Sequence, residues 1–170
     1  MPDLSRQVVL RAVMPILAEA YAGPADPRST NFVNNAPDCG VFGTLDGLSA
    51  AQASTPPAPG RSTAAAHAEH LRFSLDVSNR WLRGDDPKAH WPSSWAVQTV
   101  DEEGWMRLRE RLRDEYAQFL ELIDARAEMD EELLGGIVGT VAHAAYHLGA
   151  LRQVAELVSQ SATAAGGTAS

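Results

Sequence analysis

The chain has 170 residues, a length that buries the core of one domain without disulfides or metal staples. Acidic residues outnumber Lys and Arg by 22 to 14, and the formal net charge of −8 argues against a nucleic-acid partner, because phosphate backbones bind basic surfaces. Cys39 is the only cysteine, which excludes an internal disulfide, and no signal peptide is recognised, so we expect a cytoplasmic protein.

The first part of the chain predicts one helix and a long irregular connection. Strand signals are scarce and helix formers dominate, so we predict an all-α fold. The first helix is expected over Leu4–Tyr21, where apolar residues recur at helical spacing and Pro15 is expected to cause a kink. Residues 22–61 are rich in proline and are expected to wrap the helices and cover one mouth of the bundle, with one short helix over Phe42–Ala53.

The second helix carries two histidines. It is expected to run from a cap at Ser62 or Thr63 to about Leu82. His70 lies on a stripe of apolar residues at helical spacing, and His67 lies one turn away. At least one of these histidines is therefore expected to point inward, and His70 has the more apolar surroundings.

A connection with two tryptophans leads to the third helix. Trp91 and Trp95 are expected either to pack over the core as lids or to line a pocket. Asp101 is expected to cap the third helix, whose buried stripe extends from Trp105 to Ile123.

The last helix is expected from about Asp130 to about Val158. Its segment 133–151, LLGGIVGTVAHAAYHLGAL, contains no Asp, Glu, Lys or Arg but has two histidines. A helix that is apolar nearly all round is either central or covered by a second subunit, so we predict a homodimer. A membrane span is the alternative, but the glycines, alanines and histidines argue against it and we expect no membrane partner. The tail 159–170 is predicted to be disordered.

The histidines predict a metal site. His143 and His147 are four residues apart, so they stack on one face of the last helix, and that face is otherwise small or apolar. His70 of the second helix can meet them inside a four-helix bundle. Three neutral imidazoles bind a divalent metal and leave one position open, as catalytic metal sites do. Histidines satisfied within the core are the alternative reading.

Two other metal sites do not fit the sequence. A zinc metalloprotease of the H-E-x-x-H type needs a glutamate directly after the first histidine, where this chain has Ala144. A di-iron carboxylate bundle needs a glutamate three residues before its histidines. The residues three before His70, His143 and His147 are His67, Thr140 and Ala144.

Three segments resemble the DinB-like, or YfiT-like, family of metal-binding four-helix bundles. They are TAAAHAEHLRFSLDVSNRWLRG, WPSSW and VAHAAYHLGALRQ. The resemblance covers residues 1–158 as one domain, although the long proline-rich connection departs from the simpler members. It implies one divalent metal held by His70, His143 and His147, with His67 as the alternative to the first. Zinc or nickel is expected, with iron or manganese as alternatives.

The resemblance also implies a class of reaction. Some members of the family are transferases that use low-molecular-weight thiols such as bacillithiol or mycothiol, and others are maleylpyruvate isomerases. We therefore predict a metal-dependent transferase whose partners are such a thiol and a small-molecule substrate. A metal-dependent hydrolase at the same site and a non-catalytic stress-response or sensor protein are the alternatives. Glu69 and Asp76 flank the histidine stripe and are expected to face solvent, so no general base is evident.

Overall fold

A computed structural model describes residues 5–32, 34–36 and 38–166, with side-chain exposure up to residue 161. Over these residues the chain forms six α-helices and one 3₁₀ helix and has no strand, which confirms the predicted all-α fold. The elements are α1 Arg6–Ala22, α2 Val41–Asp46, α3 Ala50–Ala53, α4 Ala64–Leu82, the 3₁₀ helix Trp91–Trp95, α5 Glu102–Ala125 and α6 Glu131–Gly166. The predicted first residue of the first helix, Leu4, lies outside the described residues.

The four long helices, α1, α4, α5 and α6, form a bundle around one apolar core. Helix α4 packs against both α5 and α6, and α1 packs against α6. The fully buried side chains come from all four helices and include Leu17, Leu71, Leu75, Trp105, Leu112, Ile137, Leu148 and Leu151. At one end, the Arg6 guanidinium donates to the Ile123 and Asp124 carbonyls, both at 2.9 Å, and so joins the start of α1 to the end of α5.

Polar side chains fix the position of α4 against α5. Asn79 is fully buried and donates to the carbonyl and carboxylate of Glu115 at 2.9 and 2.8 Å. The buried Arg72 pairs with Glu69 at 2.7 Å and with Glu115 at 3.8 Å. Glu69 was expected to face solvent, but only 16% of its side chain is exposed, because its carboxylate pairs with the buried Arg72 on the same helix. These contacts turn the histidine face of α4 toward α6.

The connection between α1 and α4 contains two short helices, so the prediction of one helix over Phe42–Ala53 is wrong. The chain leaves helical geometry after Asp46, and Ser49 starts a new helix with a capping box. The Ser49 hydroxyl accepts from the Gln52 N–H at 3.2 Å, and Gln52 Oε1 accepts from the Ser49 N–H at 3.0 Å. This reciprocal pair satisfies two backbone donors that a continuous helix would have bonded internally.

The connection wraps the bundle and is tied to it by buried groups. Helix α2 packs against α1, α5 and α6, and α3 packs against α4, α5 and α6. The Arg152 guanidinium of α6 donates to the Cys39 carbonyl, with Nε at 3.0 Å. Gly40 lies so close to Tyr21 that an added Cβ would be 2.5 Å from the Tyr21 carbonyl oxygen. Only glycine therefore fits where the connection crosses the end of α1.

Helix α6 extends to Gly166, whereas we expected it to end near Val158. The residues beyond Val158 include alanines that favour a helix, and the first glycine after them is Gly166. The predicted disordered tail therefore begins with helical residues, and positions 167–170 lie outside the described residues. Within the described chain, no helix has both the length and the apolar character needed to cross a bilayer.

Candidate metal centre

Helices α4 and α6 bring four histidines to one place in the bundle. The cap of α4 sets the position of the first two, since the Thr63 hydroxyl accepts from the Ala66 N–H and donates to the Gln98 carbonyl. The alanines of the first turns of α4 are fully buried and pack its opposite face against the core. His67 and His70 therefore face α6, where one helical turn separates the remaining two histidines.

The imidazoles of His70, His143 and His147 converge on one point. One nitrogen of each lies within 4.8 Å of the other two. Nε2 of His70 is 3.1 Å from Nε2 of His143. A tetrahedral zinc ion with zinc–nitrogen bonds of about 2.0–2.1 Å separates its nitrogen ligands by about 3.3 Å. The spacing of His70 and His143 therefore fits a shared ion, and His147 lies close enough to complete a set of three.

Ser94 determines which nitrogen of His70 carries the proton. The Ser94 hydroxyl is 2.6 Å from the Trp91 carbonyl, to which it donates, and 2.6 Å from Nδ1 of His70. Because the hydroxyl proton is used on the carbonyl, the Ser94 oxygen accepts from Nδ1–H of His70. Nε2 of His70 then carries a lone pair that faces Nε2 of His143, which is the protonation state that a metal ligand requires.

His67 contacts His147 and does not belong to the convergent set. The Nδ1 atoms of these two histidines are 2.9 Å apart, so one donates to the other. When His147 is the donor, its Nε2 lone pair remains available for a cation and His67 accepts the hydrogen bond. The sequence leaves open whether His67 replaces or assists His70. In the structure His67 contacts His147, and a contact of this kind orients the ring of a metal ligand.

The histidines are neutral at physiological pH. Burial lowers the pKa of His147 to about 3 and that of His70 to about 4, and the neighbouring histidines add to both effects. Burial also lowers the pKa of His143 and of His67. Since a metal binds the neutral imidazole, the donor set is ready for a divalent cation without losing protons first.

Trp95 forms one wall of the site. Its ring stacks on His70 with a centroid distance of 4.2 Å and an interplanar angle of 22°. It also contacts His67 at 5.2 Å and His147 at 5.7 Å. Trp91 is 45% exposed and packs edge-on against Phe73. Of the two roles considered for these tryptophans, lining of a pocket describes both, since each lines a cavity that contacts the histidines.

The site opens into two cavities on opposite sides of the histidines. The larger has a volume of about 790 Å³ and is lined by all four histidines and by Trp95. The smaller has about 400 Å³ and is lined by His70 and His143 together with Ser74, Trp91 and Gly139, among others. A small molecule can therefore reach the point where the three imidazoles converge.

No carboxylate joins the three imidazoles in the part of the chain that the structure describes. Glu69 lies on the same helix but its two oxygens accept from Arg72 at 2.8 and 2.7 Å. An all-nitrogen donor set suits zinc and nickel better than manganese, which prefers oxygen ligands. The residues present therefore fit one divalent transition metal with an open coordination position.

Comparison with known proteins identifies the family and nothing more specific. A search of curated proteins finds no match, and a search of solved structures finds none either. The sequence model of the DinB superfamily matches residues 41–151, which is more than half of the chain. The match extends from the first residue of α2 into α6 and includes all four histidines of the cluster. The chain belongs to the DinB superfamily.

Proposed function

We propose that this protein is a metal-dependent transferase that activates a low-molecular-weight thiol, with His70, His143 and His147 as the metal ligands. The observation that carries the proposal is the convergence of three neutral imidazoles beside a cavity of about 790 Å³. Zinc or nickel fits this donor set, and iron or manganese is the alternative. Membership of the DinB superfamily agrees with a metal-binding protein.

The chemistry follows from the donor set and the cavity. His70, His143 and His147 would hold a divalent metal, which would supply the charge that keeps a thiol deprotonated at neutral pH. The sulfur then forms a bond to an electrophilic carbon of the substrate, whose leaving group departs with the electron pair of the broken bond. The thiol proton passes to solvent through the open cavity. Atoms and charges balance without an oxidant or a reductant.

Neighbouring residues prepare the site for this reaction. Ser94 fixes the ring of His70, and His67 contacts Nδ1 of His147, so neither imidazole is free to rotate. Trp95 covers one side of the cluster with an aromatic ring, so that side presents an apolar surface to a bound thiol. A thiolate is a stronger nucleophile in such a place than in water, because fewer water molecules solvate its charge.

Hydrolysis at the same site receives less support. A metal-bound water is usually activated with the help of a general base, and no carboxylate lies in the described histidine cluster. A non-catalytic metal-binding protein would have no need of the cavity beside the histidines. Both alternatives are therefore kept as outcomes of the experiment.

The test is thioether formation from monochlorobimane, with bacillithiol, mycothiol and N-acetylcysteine as thiols. Protein loaded with zinc or nickel is compared with chelator-treated protein and with His147→Ala. We expect metal-dependent product above the protein-free rate and its loss in the variant. Turnover of ester substrates without thiol would identify a hydrolase instead. A bound metal without turnover in either assay would identify a non-catalytic protein.

We also propose that two copies of the chain associate through the exposed face of α6. Val138 is 49% exposed and Tyr146 is 73% exposed, although the segment around them is apolar. At Gly135, Gly139 and Gly149, an added Cβ would meet no atom within 4 Å. Small residues on an open helix face let an identical helix approach closely, as a two-fold interface requires.

A further inference from the structure

Among the described residues that line the larger cavity, Arg61 is the one that is fully charged. The cavity is bounded by Pro57, Ala58, Arg61 and Ser62 on the side of the connection, and by Tyr146 and Gln153 on α6, with the histidines at its base. The only permanent charge that the described lining presents to a ligand in this cavity is therefore positive.

The position of Arg61 is fixed by the backbone, while its guanidinium is free. The Arg61 N–H donates to the Ala58 carbonyl at 3.1 Å, and Gly60 has a φ of 74°, which favours glycine. This turn leads directly into the cap of α4. Within the described residues, the Arg61 side chain is exposed and makes no hydrogen bond or ion pair. By contrast, Arg72, Arg109 and Arg113 each pair with a carboxylate.

The charge of the whole chain makes this arginine unusual. The formal net charge of −8 repels anions from most of the surface. In the part of the chain that the structure describes, no acidic residue lines the cavity that contains Arg61. Another cavity, of about 430 Å³ between α4, α5 and α6, is lined by Asp86 and Glu132 and by no basic residue among those described. An anionic ligand is therefore favoured in the cavity that contains Arg61 and disfavoured in the cavity lined by Asp86 and Glu132.

We propose that Arg61 selects thiols that carry a carboxylate, by pairing with that group while the sulfur of the same molecule reaches the three histidines. The planar guanidinium donates two parallel hydrogen bonds to a carboxylate, which an ammonium group cannot do. This inference rests on the proposed thiol-dependent function and names the chemical class of its thiol. Arg61 is a specificity-determining residue, and metal binding does not depend on it.

The test measures thiol binding to cobalt-loaded protein by the thiolate-to-cobalt charge-transfer absorption. N-acetylcysteine and N-acetylcysteine amide differ only in the carboxylate, so the ratio of their dissociation constants isolates its contribution. We expect the preference for the acid over the amide to be about fivefold greater in the wild-type protein than in Arg61→Ala. This factor corresponds to one exposed ion pair. Arg61→Lys should retain part of this preference and Arg61→Glu should reverse it.

Arg111→Ala is the matched control, because Arg111 is exposed on α5 and lines none of the cavities that contact the histidines. It should leave the ratio unchanged, and cobalt content should be equal in all variants. An equal ratio in wild type and Arg61→Ala, with a clear absorption band, would overturn the role of Arg61 and leave the thiol function intact. Absence of the band with both thiols, although cobalt is bound, would overturn the thiol function and this inference with it.

Discussion

Ser94 accepts a 2.6 Å hydrogen bond from Nδ1 of His70, and this bond leaves Nε2 of His70 unprotonated and facing His143. The serine belongs to the 3₁₀ helix, and the histidine belongs to α4. Ser94 is 1% exposed, and its hydroxyl has the Trp91 carbonyl as its only acceptor among the described contacts. A residue outside the set of three imidazoles thus controls the protonation state of one of them.

Replacing Ser94 by alanine should weaken metal binding. Without the acceptor at Nδ1, His70 can protonate Nε2 and turn its lone pair away, and loss of such a partner lowers metal affinity by about 10–100-fold. Chelator competition at constant pH measures the dissociation constant. Ser93→Ala is the control, because the Ser93 hydroxyl is exposed and donates to the His90 carbonyl at 2.7 Å. Equal metal affinities of Ser94→Ala and Ser93→Ala would show that Ser94 does not contribute to metal binding.

Alanine substitutions of the four histidines should separate ligands from an orienting residue. His70→Ala, His143→Ala and His147→Ala should each lose the metal, because two imidazoles hold a divalent ion far more weakly than three. His67→Ala should retain it with lower affinity, since the hydrogen bond of His67 is to Nδ1 of His147 and His67 would act by orienting that ring. Elemental analysis of purified variants measures metal content. Full loss in His67→Ala with retention in His70→Ala would exchange their roles.

The sequence predicted the helices and the histidine cluster because both depend on local spacing. The caps Thr63 and Asp101 start α4 and α5 where the sequence predicts, through bonds to residues three positions ahead. His143 and His147 are one turn apart in any helix, so only the position of His70 depended on packing. The structure brings together the three histidines that the sequence analysis selected.

The rest of the site depends on contacts that no local pattern encodes. Ser94 lies 24 residues from His70 in sequence, and a serine in the WPSSW segment could equally face solvent, as Ser93 does.

Two features of the fold outside the site were equally hidden in the sequence. Glu19 lies on α1 among residues that are buried, and no local pattern indicates that a loop will donate hydrogen bonds to its carboxylate. The break between α2 and α3 was missed because the capping box of Ser49 competes with helix formers on both sides.

A charge on the exposed face of α6 should separate the proposed dimer. Val138→Glu places a carboxylate where Val138 is 49% exposed and apolar, and two such charges would face each other across a two-fold axis. Light scattering coupled to gel filtration should report a dimer for the wild-type protein and a monomer for the variant. Arg111→Ala, on the exposed face of α5, should remain dimeric. A wild-type monomer at all concentrations would refute the dimer.

Glu19 should make the fold sensitive to acid. Burial raises the pKa of this carboxyl, but hydrogen bonds from Thr30, Asn31 and Phe32 together outweigh it, so the pKa is lowered in the folded state. Its contribution to stability is therefore present above the ordinary pKa of about 4.3 and is lost as the pH falls through the lowered value. Glu19→Gln should destabilise the protein by about 1–3 kcal/mol at pH 7, because charged acceptors form the stronger bonds. Urea unfolding should show that the difference in free energy of unfolding between wild type and Glu19→Gln shrinks as the pH falls from 7 into the acid range. The control Glu121→Gln, at an exposed site on α5, should match wild type at every pH. A gap that stays constant down to acid pH would show that the charge of Glu19 contributes nothing.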